Sequence, residues 1–244
     1  MLKNQVALVS GGSSGIGAAC VRQLAAQGAS VVVGYHRGVE RAQALLSELP
    51  GEGHLALHVP LEDSAAHSAL AQAVMTQKGR LDILVNSAGY TQRIPHSDVD
   101  TLTPELFNQL LTANAGGTYS LTRALLPLLQ SSAAGLVVNV SSVSAFTGSG
   151  SNMAYCAAKA AVDTLTQSLA RAFGPVRFVS VSPASVDTDF VAGRSRAEIE
   201  KKAAQSPLGR VVTADDVARA VLACATHLTT TTGTRIVIDG GASL

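Results

Sequence analysis

Seven short apolar runs, separated by Ala- and Leu-rich stretches, constrain this chain of 244 residues more than any other feature. They are VALVS (6–10), SVVVG (30–34), HLALHV (54–59), LDILVN (81–86), GLVVNV (135–140), RFVSVS (177–182) and RIVIDG (235–240). Apolar residues in them are nearly continuous rather than alternating, as in strands covered on both faces. Helical segments are expected between them at 15–27, 38–49, 64–77, 102–130, 153–173 and 213–226. Such alternation builds βαβ units, hence a parallel sheet with helices on both sides. No linker, repeat or low-complexity block interrupts it. Residues 1–244 are therefore expected to form a single doubly wound α/β domain with a seven-stranded parallel sheet.

Hydrophobic residues make up 47% of the chain and charged ones only 14%, which calls for a large core and suggests further burial between subunits. A net charge of +1, without a basic run, argues against nucleic acid or an anionic membrane as partner. Cys20, Cys156 and Cys224 have neither paired spacing nor neighbouring His, so no metal site or disulfide is expected and all three read as packing residues. The N-terminal stretch shows no apolar leader and no run is long enough to span a bilayer, which makes a cytoplasmic setting the default expectation.

Between the first strand and first helix, SGGSSGIG places Gly11, Gly15 and Gly17 where a chain turns sharply. Glycine allows close backbone approach to a phosphate. The free N–H groups and positive dipole end of the following helix favour an anion. The spacing is GxxxGxG, and its place at the first strand–helix turn points to a dinucleotide. Two segments leave the sheet without regular structure, 87–101 and 183–212. Ligands of doubly wound sheets sit beyond the carboxyl ends of strands, so both are candidate substrate rims, the second carrying an amphipathic lid at about 188–209.

Tyr155 and Lys159 stand four residues apart in a small-residue helix and so share a face. A free phenol, with a pKa of ~10, is a poor base at neutral pH. A neighbouring ammonium favours the phenolate and is expected to lower that pKa toward working pH. A solvated Lys on an exposed face is the plain alternative for the pair alone.

The motifs SGGSSGIG (10–17), NSAG (86–89), NAGG (114–117), SS (141–142), YCAAK (155–159), SPASVDT (182–188) and DGG (239–241) occur in one order along the whole chain. In this the chain resembles the short-chain dehydrogenase/reductases, most closely the 3-oxoacyl-acyl-carrier-protein-reductase-like branch. The resemblance implies a Rossmann-type fold and hydride exchange between a nicotinamide dinucleotide and a ketone or secondary alcohol. Tyr155 would trade the proton, Ser142 would hydrogen-bond the substrate oxygen, and Lys159 would hold the nicotinamide ribose. Asn114 would support a water-linked proton path to Lys159. Ser141 is out of register for the Ser142 role.

On the cofactor side the resemblance implies Gly11, Ser13, Ser14, Gly15, Ile16 and Gly17 around the pyrophosphate. Asn86, Ala88 and Gly89 would lie beneath the nicotinamide ribose, and Pro183, Val186 and Thr188 beside the carboxamide. Tyr35 stands where NAD-preferring relatives carry Asp, and Arg37 follows it, able to pair with a phosphate. NADP(H) is therefore expected over NAD(H). Pro60 replaces an Asp that contacts the adenine in relatives, which leaves Asp63 or the backbone near Leu61 for that contact. Substrate readings are a 3-oxoacyl thioester, or a small ketone, sugar or amino alcohol. A dinucleotide sensor without turnover is the reading of another class. Arg93, His96, Phe146, Arg194, Arg196, Lys201 and Lys202 are rim candidates. A homotetramer built on segments 102–130 and 153–173 and on the last strand is implied.

Overall fold

The computed structural model describes residues 1–244. Seven parallel strands form one sheet: β1 (Val6–Ser10), β2 (Ser30–Tyr35), β3 (Leu55–His58), β4 (Ile83–Asn86), β5 (Leu136–Val140), β6 (Arg177–Pro183) and β7 (Thr234–Ile238). Their order is β3-β2-β1-β4-β5-β6-β7, so the winding reverses between β1 and β4. Helices α1 (Gly15–Ala26), α2 (Val39–Glu48), α3 (Ser64–Lys78), α4 (Pro104–Leu111), α5 (Gly117–Gln130), α6 (Ser144–Thr147), α7 (Met153–Ala172), α8 (Arg196–Ala203) and α9 (Ala214–Thr226) complete the chain.

Strand pleating explains the two-sided core. In β1, Ala7 and Val9 face a cluster with α1, α2 and α9, while Val6 and Leu8 face one with α3, α5 and α7. Leu121, Leu125 and Leu129 recur every fourth residue of α5 and are fully buried in the second cluster with Phe178. Each such side chain contributes roughly 1.5–3 kcal/mol of transfer free energy.

Two expectations are corrected. The first and last strands of the sheet are not covered on both faces: β3 is half-exposed, and Val237 of β7 is 43% exposed because an outermost strand has a neighbour on one side only. The single helix expected over 102–130 is interrupted by a π-helical turn at Thr112–Gly116. That turn inserts an extra residue into the helix, and it holds the buried Asn114. Just beyond it, a Cβ on Gly117 would lie 2.6 Å from the Leu61 carbonyl oxygen, so only glycine lets α5 approach the end of β3 this closely. No helix is long and apolar enough to cross a membrane.

Candidate active site

The carboxyl ends of β1 and β4 flank the point where strand order reverses, and the glycine loop leaves β1 there. Gly11 has φ of +65°, and a Cβ on it would sit 2.9 Å from the Ala88 backbone. A Cβ on Gly17 would sit 2.1 Å from the Gly11 carbonyl oxygen. The loop is thus folded onto itself and onto the turn after β4. Ser10 clamps the two: its hydroxyl accepts from the Ser87 and Ala88 N–H groups at 3.1 and 3.2 Å. Helix α1 begins with Ser14 as an N-cap without a side-chain cap hydrogen bond and with no acidic residue in its first turn. Uncapped N–H groups beside a cradle that any Cβ would fill are what a pyrophosphate requires. Thr188 closes this region from the far end of the sequence, 3.4 Å from where a Gly15 Cβ would stand. Ser13 lines a shallow groove of about 240 Å³ beside Ala18, with Ile16 half-buried in the first turn of α1.

At the end of β2, Tyr35 packs on His58 at 5.8 Å while Arg37 is exposed. Sequence reasoning passed over Arg41, which lines the same groove as Ser13. Its guanidinium lies against Gly38, 2.7 Å from the position of a Cβ there. Arg37 and Arg41 are four residues apart across a helix start, a spacing that was open to reading. Asp63 is the N-cap of α3 and accepts from the Ala66 N–H at 3.0 Å, so its carboxylate is committed to the helix. The chain near Pro60 is held instead by buried His67, whose Nε2 donates to the Pro60 carbonyl while Nδ1 bonds the Ser120 hydroxyl.

Asn86 is brought under the glycine loop, but its side chain faces inward. Nδ2 donates to Thr122 and to Asn139, which in turn reaches Thr166, and Thr166 meets Ser180. This buried polar chain ties β4, β5 and β6 together beneath the site. Gly89 abuts Asn114, since a Cβ there would be 2.6 Å from Asn114 Oδ1. The Asn114 amide is fully used on backbone, donating to the Tyr90 and Leu110 carbonyls and accepting from the Tyr90 N–H. Pro183 ends β6 and its carbonyl accepts from the Val143 N–H, while buried Val186 bridges to Val212.

Tyr155 and Lys159 are both buried on one face of α7. The N-cap Asn152 accepts from the Tyr155 N–H at 2.7 Å and donates to Thr91 and the Gln92 carbonyl. The loop after β4 is thereby fixed to the turn that presents Tyr155; an Asn three residues before the Tyr was the legible sign. Lys159 Nζ donates to the Val140 carbonyl at 2.7 Å and stands 5.6 Å from the centre of the Tyr155 ring. Ser141 Oγ donates to the Lys159 carbonyl, a joint between β5 and α7, whereas Ser142 lies beside Tyr155 and bonds Ser144 at 3.1 Å.

The electrostatics correct one expectation. Burial pushes the Tyr155 phenol above its ordinary pKa, opposed by hydrogen bonding from Ser142 and the positive charge of Arg194. Burial likewise pulls Lys159 down to about 8, opposed by the carboxylate of Asp163 one turn further along α7. Desolvation outweighs the positive charge felt by the phenol, and that charge comes from Arg194 rather than from the Lys159 that the four-residue spacing suggested. Asp163 was not legible as a participant: it accepts from Arg235 of β7 at 3.1 Å, a contact only the fold makes.

The rim differs from expectation too. Arg93 is paired with Glu198 at 2.9 Å, joining segment 87–101 to α8. Arg196 pairs with Asp187 and Glu200. Helix α8 buries only Ile199, with Lys201 and Lys202 exposed, so it is a charged helix rather than an amphipathic one, held also by the Arg93–Glu198 and Arg196–Asp187 pairs. Phe146 lies under Arg235 at 4.7 Å, and the aromatic ring against Tyr155 is Phe190, at 5.9 Å. His96 is half-buried, with no partner for Nε2.

A doubly wound sheet with a glycine cradle at its switch point and a buried phenol nearby is the architecture of a dinucleotide-dependent oxidoreductase. Comparison with known proteins agrees. A family model described as enoyl-(acyl carrier protein) reductase matches residues 11–243. A Streptomyces violaceoruber protein named as ketoacyl reductase 2 of the granaticin polyketide synthase is 38% identical over 98% of this chain and 96% of its own. A 3alpha-hydroxysteroid dehydrogenase of Mediterraneibacter gnavus is 35% identical over 99% of this chain and 98% of its own. The crystal structure of a short-chain dehydrogenase from Burkholderia cenocepacia in complex with NADP superposes with a TM-score of 0.90, at 32% identity, covering 100% of this chain and 99% of that one. The chain belongs to the short-chain dehydrogenase/reductase family and is an oxidoreductase acting on CH–OH and C=O groups.

Proposed function

We propose that the chain interconverts a ketone and a secondary alcohol with Tyr155 as the acid and base, using NADP(H) in preference to NAD(H). The observation that carries this reading is the buried Tyr155 with Ser142 beside it and Lys159 on the same face of α7. The dinucleotide, when bound, supplies or accepts the hydride. Gly11, Ser13, Ser14, Gly15, Ile16 and Gly17 would hold its pyrophosphate, and the backbone of Asn86, Ala88 and Gly89, with Lys159, its nicotinamide ribose. Pro183, Val186 and Thr188 would line the carboxamide. Asn114 would keep the chain at Tyr90 in place and so shape the path to Lys159.

A phenol whose pKa is raised stays protonated across the physiological range, which suits the donor of a proton to an oxygen gaining negative charge. Ser142, bonded to Ser144, is oriented to share that oxygen. Lys159 keeps its charge below about pH 8 and there favours the phenolate left when the proton has been given up. Tyr155→Phe should lower kcat by about 10²–10⁴-fold while dinucleotide affinity stays within a few-fold. Unchanged turnover would remove Tyr155 from this role.

The absence of an acidic side chain at Tyr35, the exposed Arg37 that follows it and Arg41 in the groove beside Ser13 support the NADP(H) preference. A kcat/KM favouring NAD(H) would overturn it. The relatives carry both substrate readings, one named for a ketoacyl reductase and others for a hydroxysteroid and D-threitol. Turnover of an acetoacetyl thioester against simple ketones and diols separates them. The segment 188–209 is proposed to cover the substrate, and its contacts from Phe190 to Tyr155 and from Glu198 to Arg93 support this. A homotetramer in a reducing cytoplasm is proposed as well. The free edge of β7, exposed Tyr119 of α5 and three unpaired cysteines support it, and light scattering tests the assembly.

A further inference from the structure

We propose that Arg235 is a positioning residue of the proton-transfer site: seated by Phe146 on the outermost strand, it takes one oxygen of the Asp163 carboxylate and so sets how much of that charge is left for Lys159. The inference rests on the ketone–alcohol reading above and adds a residue that acts through another.

Register and pleating bring the guanidinium there. Arg235 of β7 is paired in register with Ser180 of β6, and the Ser180 hydroxyl meets that of Thr166 on α7 at 2.8 Å. Neighbours in register project to the same face of a sheet, so Arg235 is turned toward α7 as well. About one turn before Thr166 stands Asp163, whose Oδ2 accepts from Arg235 Nη1 at 3.1 Å. The guanidinium carbon also lies 4.7 Å from the centre of the Phe146 ring. Phe146 belongs to α6 and follows Ser144, the partner of Ser142, by two residues. One side chain thus joins the helix that carries Tyr155 and Lys159 to the one that orients Ser142.

Asp163 is 8% exposed, and its second oxygen, Oδ1, is buried without a hydrogen-bond partner. A buried carboxylate served by one donor keeps much of its field. Lys159 stands one turn back on the same helix face, buried as well, with its Nζ on the Val140 carbonyl. A carbonyl does not neutralise an ammonium, and the charge of Asp163 is what opposes the desolvation of Lys159. The elements packed against α7 are α4, the π turn, α6, β5, β6 and β7. Of these, α4 brings Glu105, which is exposed, β6 brings Arg177, held by the Cys224 and Leu228 carbonyls, and β7 brings Arg235; the other three carry no charged residue. On α7 itself Tyr155 and Cys156 are titratable, and Arg171 lies about three turns further along, exposed.

Arg235 and Asp163 therefore act on Lys159 with opposite sign. Loss of the guanidinium frees the whole carboxylate charge and keeps Lys159 protonated to higher pH; loss of the carboxylate does the reverse. A bond that merely ties β7 to α7 would give the same defect from either side.

The test titrates Lys159 in the full chain grown with lysine labelled with carbon-13 at Cε, its signal among five lysines assigned by Lys159→Arg. The same proteins are assayed for kcat of ketone reduction against pH. In Arg235→Gln the Lys159 titration should move up by about half a pH unit, and the alkaline limb of kcat with it. Arg235→Lys should return both to the wild-type position. Asp163→Asn should move both down, and adding Arg235→Gln to it should move neither further. A Lys159 titration unmoved or lowered in Arg235→Gln, whatever the loss of kcat, would overturn the proposal. A double variant midway between the single ones would overturn it too, since Arg235 would then act on Lys159 directly. Titrations that move as expected in a protein that reduces no ketone support the Arg235–Asp163 link and count against the ketone reading alone.

Discussion

Replacing Gly17 by Ala tests the glycine cradle directly. The added Cβ would lie 2.1 Å from the Gly11 carbonyl oxygen, 2.7 Å from its carbonyl carbon and 3.1 Å from Gly12 Cα. Ordinary contact begins near 3.4 Å, so backbone rather than a flexible side chain must yield by about 1.3 Å. Overpacking of this kind costs ~1–3 kcal/mol. For a domain of this size that corresponds to a fall in Tm of roughly 2–12 °C. The shift would also displace Gly11 from Ala88 and turn the first N–H groups of α1 away from the phosphates. Dinucleotide affinity should then drop by at least about tenfold, or ~1.4 kcal/mol. Scanning calorimetry and quenching of NADPH fluorescence read the two effects. Gly116→Ala is the control: its backbone is helical, with φ −61° and ψ −47°, and the nearest atom to a new Cβ is 3.9 Å away. That substitution should stabilise by ~0.5–1 kcal/mol. A Gly17→Ala protein that melts and binds NADPH like the wild type would refute the crowding argument.

Asp163→Asn removes the charge that keeps Lys159 protonated, so the Lys159 pKa should fall further below about 8. The alkaline limb of kcat for ketone reduction should move to lower pH, and Asp163→Glu should restore it; an unmoved limb would separate Asp163 from the proton chemistry. Asp82 is 1% exposed, and its carboxylate accepts from the Val6 N–H, Arg80 and Ser132. Those bonds overcome burial and hold its pKa below the ordinary carboxylate value. The stability they contribute is present above the unfolded pKa of ~3.9 and lost as pH falls through the lower folded value. Asp82→Ala should cost ~1–3 kcal/mol at pH 7, read by urea unfolding, with a smaller difference at pH 2–3. An equal difference at both pH values would point to packing instead.

Much of the architecture is written in local pattern. The seven apolar runs and the segments between them specify strands and helices because burial on two faces and on one face leave different periodicities. The uncapped turn SGGSSGIG, the Asn152 cap and the Tyr155–Lys159 spacing are also local, since each depends on residues within about one turn. The π turn around Asn114 left no such signal. It is stabilised by Tyr90, which lies 24 residues away in sequence.

What the sequence determined by itself is a parallel α/β sheet with a glycine-rich turn after its first strand and a phenol and ammonium on one helical face. What only the tertiary structure decided is the electrical state of that face and the pairing of the charges around it. Desolvation depends on how many chain segments close over a group, and no spacing encodes it; it raised Tyr155 and lowered Lys159. Pairing depends on which side chains meet, and distant segments settled it: Glu198 took Arg93 and Asp163 met Arg235.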